Sequence, residues 1–273
     1  MGDESENDGR HRRHDPVTFV VAVNNEDVFR LTFMESPALR SWGGKIRILK
    51  KEGYPSASIA YNKGLDDADT DLVVFVHQDV FLPEIWMEEL MSSLRSISSL
   101  TPNVGVVGCY GVDLENRRYG HLYSTGLGAI IGEPIGQPMP VRTLDEIILI
   151  LRKSSGLRFD ENLPGFHLYG TDICMEASRR GLINYAVGAF CIHNSNEAVY
   201  LPDQFYRCYR YLRRKYWNEL PIQTSCIRIT KGNSEYIMRK LKGFIARIQR
   251  RKGRGRSQNP ADLWEKMKYS VSQ

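Results

Sequence analysis

The segment Val73–Pro83 reads VVFVHQDVFLP, an apolar run that ends by presenting His77, Gln78 and Asp79. A hard cation needs oxygen ligands held on a rigid edge, and the end of a buried strand supplies one. Asp79 is the first candidate ligand. His77 either adds a ring nitrogen, touches a bound ligand or water, or is satisfied inside the fold while Asp79 caps a helix starting near Pro83. Two further residues carry chemistry in similar settings. Asp172 stands at the start of the helix-like segment Thr171–Arg180, where a carboxylate serves as a base or is simply favoured by the helix dipole. His193 closes an apolar stretch in Cys191-Ile192-His193-Asn194-Ser195, a position where a lone histidine is commonly structural.

The elements that must position these groups follow from periodicity. Val17–Val23 (VTFVVAV) is continuous, apolar and rich in β-branched residues, so it predicts a fully buried parallel strand. Lys45–Leu49 and Leu72–Val76 predict two more strands, and Val104–Cys109 a fourth. Between them, Ser56–Leu65 predicts a helix ending near Gly64, and Glu84–Ser96 a helix opened by Pro83. Such alternation predicts an α/β fold with one mostly parallel sheet flanked by helices. Ligands bind at the carboxyl edge of such sheets, so the Asn24–Asp27 loop and His77–Asp79 should share that edge.

Beyond the fourth strand the pattern loosens. Tyr119–Pro140 is dense in glycine and proline and predicts loop and hairpin. Leu144–Leu151 (LDEIILIL) and Asn184–Phe190 predict strands. Gln204–Trp217 and Glu235–Lys252 have helical spacing, Gly253–Pro260 reads as a linker, and Ala261–Gln273 as a short terminal helix.

Composition narrows the class. The chain has 273 residues and a net charge of +5. Residues 228–256 hold eleven lysines and arginines against one acid, a net of +10, which leaves −5 on the rest. The basic character thus belongs to the C-terminal part and suits an anionic surface. No apolar run approaches the roughly 20 residues needed to span a bilayer. The first fifteen residues hold no apolar stretch and predict a disordered leader rather than a signal peptide. Five widely spaced cysteines without a C-x-x-C pair predict reduced thiols and a cytoplasmic protein.

His77-Gln78-Asp79-Val80, followed by Phe159-Asp160-Glu161, Gly165-Phe166-His167-Leu168-Tyr169 and Asp172, resembles the family 2-type glycosyltransferases of the GT-A fold, over roughly residues 16–200. The likeness is greatest to a bacterial subgroup marked by these segments in this order. It implies a nucleotide-sugar donor, a UDP-sugar foremost, and Mn²⁺ or Mg²⁺. It divides the chain into residues 1–15 as leader, 16–203 as a GT-A catalytic domain with a nucleotide-binding half (16–110) and an acceptor half (111–203), and 204–273 as a helical basic appendage.

The resemblance also implies roles. A divalent metal offsets the charge that grows on a departing diphosphate. The family usually has Asp-x-Asp where this chain has His77-Gln78-Asp79, so Asp79 is the expected ligand, with His193 and His77 beside it. An imidazole in the set tilts preference toward Mn²⁺. Asn24, Glu26, Asn62, Lys63, His77 and Gln78 are expected around the donor. Asp172 is expected as the base of an inverting transfer, although Thr171 replaces the family's usual glutamate before it. His167, Tyr169 and Thr171 are expected on the side of the acceptor, a glycan or lipid-linked glycan.

The apolar stripe Ile237, Leu241, Phe244/Ile245 and Ile248 predicts one of two things: a helix lying in a membrane interface through residues 235–252, or a stripe docked on its own domain. The first would place the protein peripherally at the inner face of the membrane. Other readings remain at this point: a retaining transferase, a nucleotidyltransferase (though residues 16–30 contain no glycine for a phosphate loop), and a non-catalytic protein binding nucleotide sugars or nucleic acid. The basic and aromatic mixture in Gln204–Trp217 is the pattern for nucleic acid, but a helix core is its commoner cause.

Overall fold

The structure, a computed structural model, describes residues 15–196, 201–249 and 255–271. All but the last residue of the expected leader, and the end of the second basic segment, lie outside the described residues.

The centre is a seven-stranded sheet built on the predicted alternation. Its first three strands are β1 (Val17–Val23), β2 (Ile46–Glu52) and β3 (Leu72–His77), with β1 parallel to both neighbours and the short helices α1 (Glu26–Val28) and α2 (Ala38–Ser41) between β1 and β2. β4 (Val80–Phe81) follows the turn at Gln78-Asp79. Further along come β5 (Val104–Gly108), β6 (Tyr110–Val112), β7 (Arg118–Gly120), β8 (Leu122–Ser124), β9 (Ala129–Ile131), β10 (Met139–Val141), β11 (Thr143–Leu144), β12 (Ile148–Arg152), β13 (Ile183–Ala186) and β14 (Cys191–His193). The order across the sheet is β10-β13-β5-β12-β3-β1-β2. β13 runs parallel to β5, whereas β12 is antiparallel to β3 and β5, and β10 to β13. The Gly/Pro-rich middle supplies short strands to two smaller sheets, β11-β6-β7 and β4-β14-β8-β9.

Alternation explains both layers. In β3, Leu72, Val74 and Val76 join the core that holds Phe19, Trp86 and Leu90, on the side of α4 (Trp86–Leu100). Val73 and Phe75 point the other way, into the core of α3 (Ala57–Asp67) and α5 (Tyr169–Arg179). Each large apolar side chain buried this way contributes roughly 1.5–3 kcal/mol. By the same parity His77, the last residue of β3, leaves the sheet on the α3/α5 side.

Helix α3 does not stop at Gly64 as its sequence suggests; it continues to Asp67. Gly64 is there for contact rather than termination, since a Cβ at this position would lie 2.3 Å from a Val20 methyl. α6 (Asp203–Lys215) buries Phe205, Tyr206, Cys208, Tyr209 and Leu212 in the same core as Phe75 and Tyr169. That burial accounts for its aromatic spacing. The sequence boundary expected after residue 203 therefore falls within one packed layer.

The remaining helices are α7 (Ser234–Ile248) and α8 (Pro260–Val271), in the order expected. Residues 255–259, part of the expected linker, are held against the body through Asn194. No helix among the described residues is long and apolar enough to cross a membrane. The five cysteines are unpaired thiols, four of them buried.

Candidate metal and donor site

Strand register assembles the site. β1 and β3 are parallel and in step, Ala22 opposite His77, so the loops that follow them meet. Gln78 locks them together: its Oε1 accepts from the backbone N–H of Asn24 and of Asn25, each at 3.0 Å, and its Nε2 donates to Asn24 Oδ1 at 2.5 Å. Asn25 caps the short helix Glu26–Val28. β14 pairs antiparallel with β4, His193 opposite Val80, and this brings a residue from far along the chain beside Asp79. Asn194 N–H closes the join on Asp79 O at 2.7 Å.

The result is a cluster of His77, Asp79 and His193 in which each residue offers a ligand atom within 4.8 Å of the others. His193 Nε2 lies 3.4 Å from Asp79 Oδ1. Tyr169 OH is 2.8 Å from His77 Nε2 and 3.2 Å from the Glu146 carbonyl, to which it donates.

The electrostatics suit metal ligands. Burial opposes the charge on Asp79, yet His193 above all, with Arg256, overrules it and holds the carboxyl well below its usual range. Burial lowers His77, so its ring stays neutral with a lone pair available. Burial pulls His193 down, but the adjacent Asp79 carboxylate prevails and raises it. Two imidazoles and one carboxylate make a mixed N/O set, which fits a divalent transition ion such as Mn²⁺ better than Mg²⁺.

Beside the cluster opens a cavity of about 340 Å³ lined by Asn24, Lys51, Tyr54, Tyr61, His77, Gln78, Asp79, Phe166 and Tyr169, among others. Lys51 is nine-tenths buried and pairs with Asp67 at 2.6 Å. Of the residues expected around a donor, Asn24, His77 and Gln78 line this cavity. Glu26 is exposed and paired with Lys50 at 2.8 Å. Lys63 is paired with Asp67 at 2.8 Å and does not line the cavity. Asn62 is buried and spends its amide on the Phe159–Glu161 segment: it accepts from Phe159 N and donates to Phe159 O and Glu161 Oε1, each at 2.9 Å. The Asn62 and Phe-Asp-Glu segments singled out in the sequence thus serve each other.

The acceptor-side residues divide similarly. Tyr169 joins the cluster through His77, while Thr171 is buried. His167 packs edge-on against Phe205, ring centres 5.7 Å apart, and burial first and His77 second push it down to about 4.

Asp172 lies elsewhere. It is 1% exposed, one turn beyond Tyr169, and turned toward α6. Its Oδ1 is 2.8 Å from Lys215 Nζ and accepts from Tyr216 OH at 2.7 Å. Lys215 also reaches Asp160 at 2.7 Å and Glu176 at 3.3 Å. Burial raises Asp172, opposed chiefly by the Lys215 charge. One oxygen of this carboxylate is thus committed to Lys215 and Tyr216 rather than to the metal cluster.

The sequence reading passed over two acids in Leu144–Leu151. That segment is not one strand: β11 ends at Leu144 and β12 begins at Ile148, leaving Asp145-Glu146-Ile147 as a turn. Because β12 is antiparallel to β3, its start lies at the edge where β3 ends, and Ile147 O accepts from His77 N–H at 3.1 Å. Glu146 accepts the N–H of Leu168, which has φ 61° and opens α5. A leucine in the left-handed region is strained, and strained residues cluster at functional sites. Burial, then the neighbouring Asp145, push the Glu146 carboxyl up to about 8. An acidic pair immediately before an apolar strand was the available signal.

The sheet, most of its strands pointing one way, carries its ligand cluster on the carboxyl edge, as expected of the fold the sequence resembles. A profile of the "Glycosyltransferase like family" matches residues 18–213, and the chain belongs to that family. A curated protein of Fuscovulum blasticum, described as "ATP synthase subunits region ORF 6", is 27% identical over 156 residues, 55% of this chain and 61% of that protein. The chain thus spans about three fifths of that relative's length. Among solved structures, the mannosyltransferase PcManGT from Pyrobaculum calidifontis in complex with GDP-Man and Mn²⁺ superposes with TM-score 0.46 at 12% identity, covering 76% of this chain and 64% of the other. S. aureus TarS 1–349 gives 0.45 at 12%, covering 75% and 66%.

Proposed function

We propose that the protein transfers a glycosyl group from a nucleoside diphosphate sugar, a UDP-sugar foremost, to a glycan or lipid-linked acceptor, using a divalent ion held by His77, Asp79 and His193. The observation that carries this reading is the three-residue cluster beside a cavity on the carboxyl edge of the sheet, in a chain of this family. When bound, the ion offsets negative charge on the departing diphosphate. Asn24, fixed by Gln78, and Tyr54 and Tyr61 line the space for the nucleoside. Tyr169 holds the His77 ring in place.

In the transfer an acceptor hydroxyl oxygen bonds to the anomeric carbon, the bond from that carbon to the diphosphate oxygen breaks, and the hydroxyl proton goes to a base. Glu146 is the proton acceptor we favour over Asp172. Its backbone carbonyl accepts from Tyr169 OH, which also contacts His77, and its carboxyl is raised close to neutral pH, where general bases work best. Asp172 instead ties α5 to α6. Inversion at the anomeric carbon follows from this single displacement.

Helix α7 supports an acceptor at a membrane surface. Ile237, Leu241, Phe244 and Ile248 are 49–65% exposed rather than docked on the body, and Tyr236 on the other side packs into the core. With Arg239, Lys240 and Lys242 on its flank and opposite face, the helix has the pattern of an amphipathic interfacial helix.

Thermal denaturation against nucleotides and nucleotide sugars, with and without Mn²⁺, tests the core of the proposal. A ligand at 100 times its dissociation constant stabilises by about 2.7 kcal/mol. Absence of any metal-dependent shift would refute the donor site.

A further inference from the structure

Asp79 has a second cationic partner that no strand of the sheet supplies. Arg256 Nη2 lies 3.2 Å from Asp79 Oδ2, on the carboxylate whose other oxygen faces His193. Arg256 is not a stray surface side chain. Its Nε donates to Asn194 O at 3.0 Å, and its backbone N–H to Asn196 Oδ1 at 3.1 Å. The next residue is latched from both sides: Ser257 N–H donates to Asn194 Oδ1 at 2.7 Å, and Asn194 Nδ2 donates to Ser257 O at 3.0 Å. Asn194 is buried and follows His193 directly. Beyond the latch, α8 is anchored by Trp264, which is 3% exposed, donates from Nε1 to Glu84 Oε2 at 2.8 Å, and packs on Phe190 with ring centres 5.7 Å apart. The C-terminal segment is thus seated across the end of β14 so as to place one guanidinium at the cluster.

The guanidinium stands where negative charge beyond that of Asp79 would meet it. A divalent ion on Asp79 would displace Arg256 as its partner and leave the guanidinium for another anion. A diphosphate carries more negative charge than one divalent ion offsets. Guanidinium N–H groups match phosphate oxygens in pairs, and Nη1 of Arg256 makes no hydrogen bond among the described residues.

We infer that Arg256 is a diphosphate-binding residue of the donor site, delivered by the C-terminal segment: with donor and metal bound, its guanidinium turns from Asp79 to the phosphate oxygens. This rests on the donor reading given above. It assigns to residues outside the family match at 18–213 a part in holding the leaving group. It also makes the Asn194–Ser257 latch and the Trp264 anchor the parts that position that part.

The test is calorimetry on the full chain with Mn²⁺ alone, with Mn²⁺ and inorganic pyrophosphate, and with Mn²⁺ and uridine diphosphate. Arg256→Ala should weaken pyrophosphate and uridine diphosphate binding about 10–100-fold, the range of a charge-assisted hydrogen bond. Mn²⁺ alone should bind as well or better, because a competing cation has left Asp79. Arg256→Lys should recover part of the loss. Asn194→Ala, which keeps the guanidinium but removes the latch, should fall between. Pyrophosphate binding by Arg256→Ala equal to or tighter than that of the unaltered chain overturns the inference and leaves the donor site standing. Failure of the unaltered chain to bind either phosphate with Mn²⁺ overturns the donor site and this inference together.

Discussion

The Asp172 carboxylate lies 2.8 Å from the Lys215 ammonium in a buried contact between α5 and α6, closed by the Tyr216 hydroxyl. Removing one partner of such a pair leaves the other charge without compensation, which costs about 3–5 kcal/mol when nothing else is near. Here Asp160 and Glu176 still reach Lys215. Asp172→Asn should therefore lose about 1–3 kcal/mol by urea denaturation. It should retain most of its turnover at temperatures where it stays folded. An unchanged midpoint with abolished turnover would return the role of base to Asp172.

Glu146→Gln should behave in the opposite way. Loss of a general base slows the chemical step by roughly 10²–10⁴-fold. Donor affinity, measured by calorimetry, should change little, because the amide still accepts from Leu168 N–H. A kcat within a few-fold of the unaltered protein would sink Glu146 as proton acceptor.

How much of this was legible in the sequence depended on whether the signal was local. β1, β3 and α4 announce themselves through apolar runs and helical spacing, and they formed close to the expected bounds. His77 and Asp79 could be singled out because a strand seldom ends in such groups. That His193 would join them was visible only as a residue at a strand end, since its place depends on the β4–β14 pairing, which is non-local. Glu146 went unnoticed because LDEIILIL reads as one strand when the direction of β12 is unknown. Arg256 lay in a Gly- and Arg-rich stretch with no periodicity, and its partner Asp79 is set by tertiary docking alone. Asp172 shows a related limit: a helix-start carboxylate looks the same in sequence whether it faces a cavity or, as here, a lysine from another helix.

Glu146 also makes stability depend on pH. An unfolded glutamate titrates near 4.5, whereas the folded carboxyl is pushed up to about 8. Between those values the folded chain keeps a proton that the unfolded chain has released, so this contribution is full below pH 4.5 and is lost as pH rises toward 8. The span is on the order of 1–4 kcal/mol. Glu146→Gln should flatten the decline, and denaturation midpoints for the two proteins at pH 5 and pH 8 give the comparison. Parallel pH profiles would show that the folded carboxyl is not raised.

The metal cluster predicts a pH dependence of the opposite sense for binding. Protons compete with a metal for imidazole, and Asp79 raises His193, so Mn²⁺ affinity should climb as pH rises through the His193 titration. Asp79→Ala and His193→Ala should each weaken Mn²⁺ binding by an order of magnitude or more, read by electron paramagnetic resonance of free Mn²⁺. They should also erase the metal-dependent part of nucleotide binding. Mn²⁺ binding that neither variant alters would place the ion elsewhere.

Helix α7 gives the most direct test of where the acceptor lies. Its exposed Leu241 and Phe244 would each bury an apolar side chain in the acyl boundary, roughly 1.5–3 kcal/mol apiece. Each nearby Lys or Arg adds about 1 kcal/mol at an anionic surface. The full chain should therefore sediment with vesicles containing anionic lipid and less with neutral ones, and added salt should weaken the first. Leu241→Ser with Phe244→Ser should cut vesicle binding at least tenfold and leave turnover on a soluble acceptor intact, because α7 contributes nothing to the metal cluster or its cavity. If the double variant still sediments like its parent, the helix is not what holds the protein at the lipid, and the lipid-linked acceptor loses its structural support.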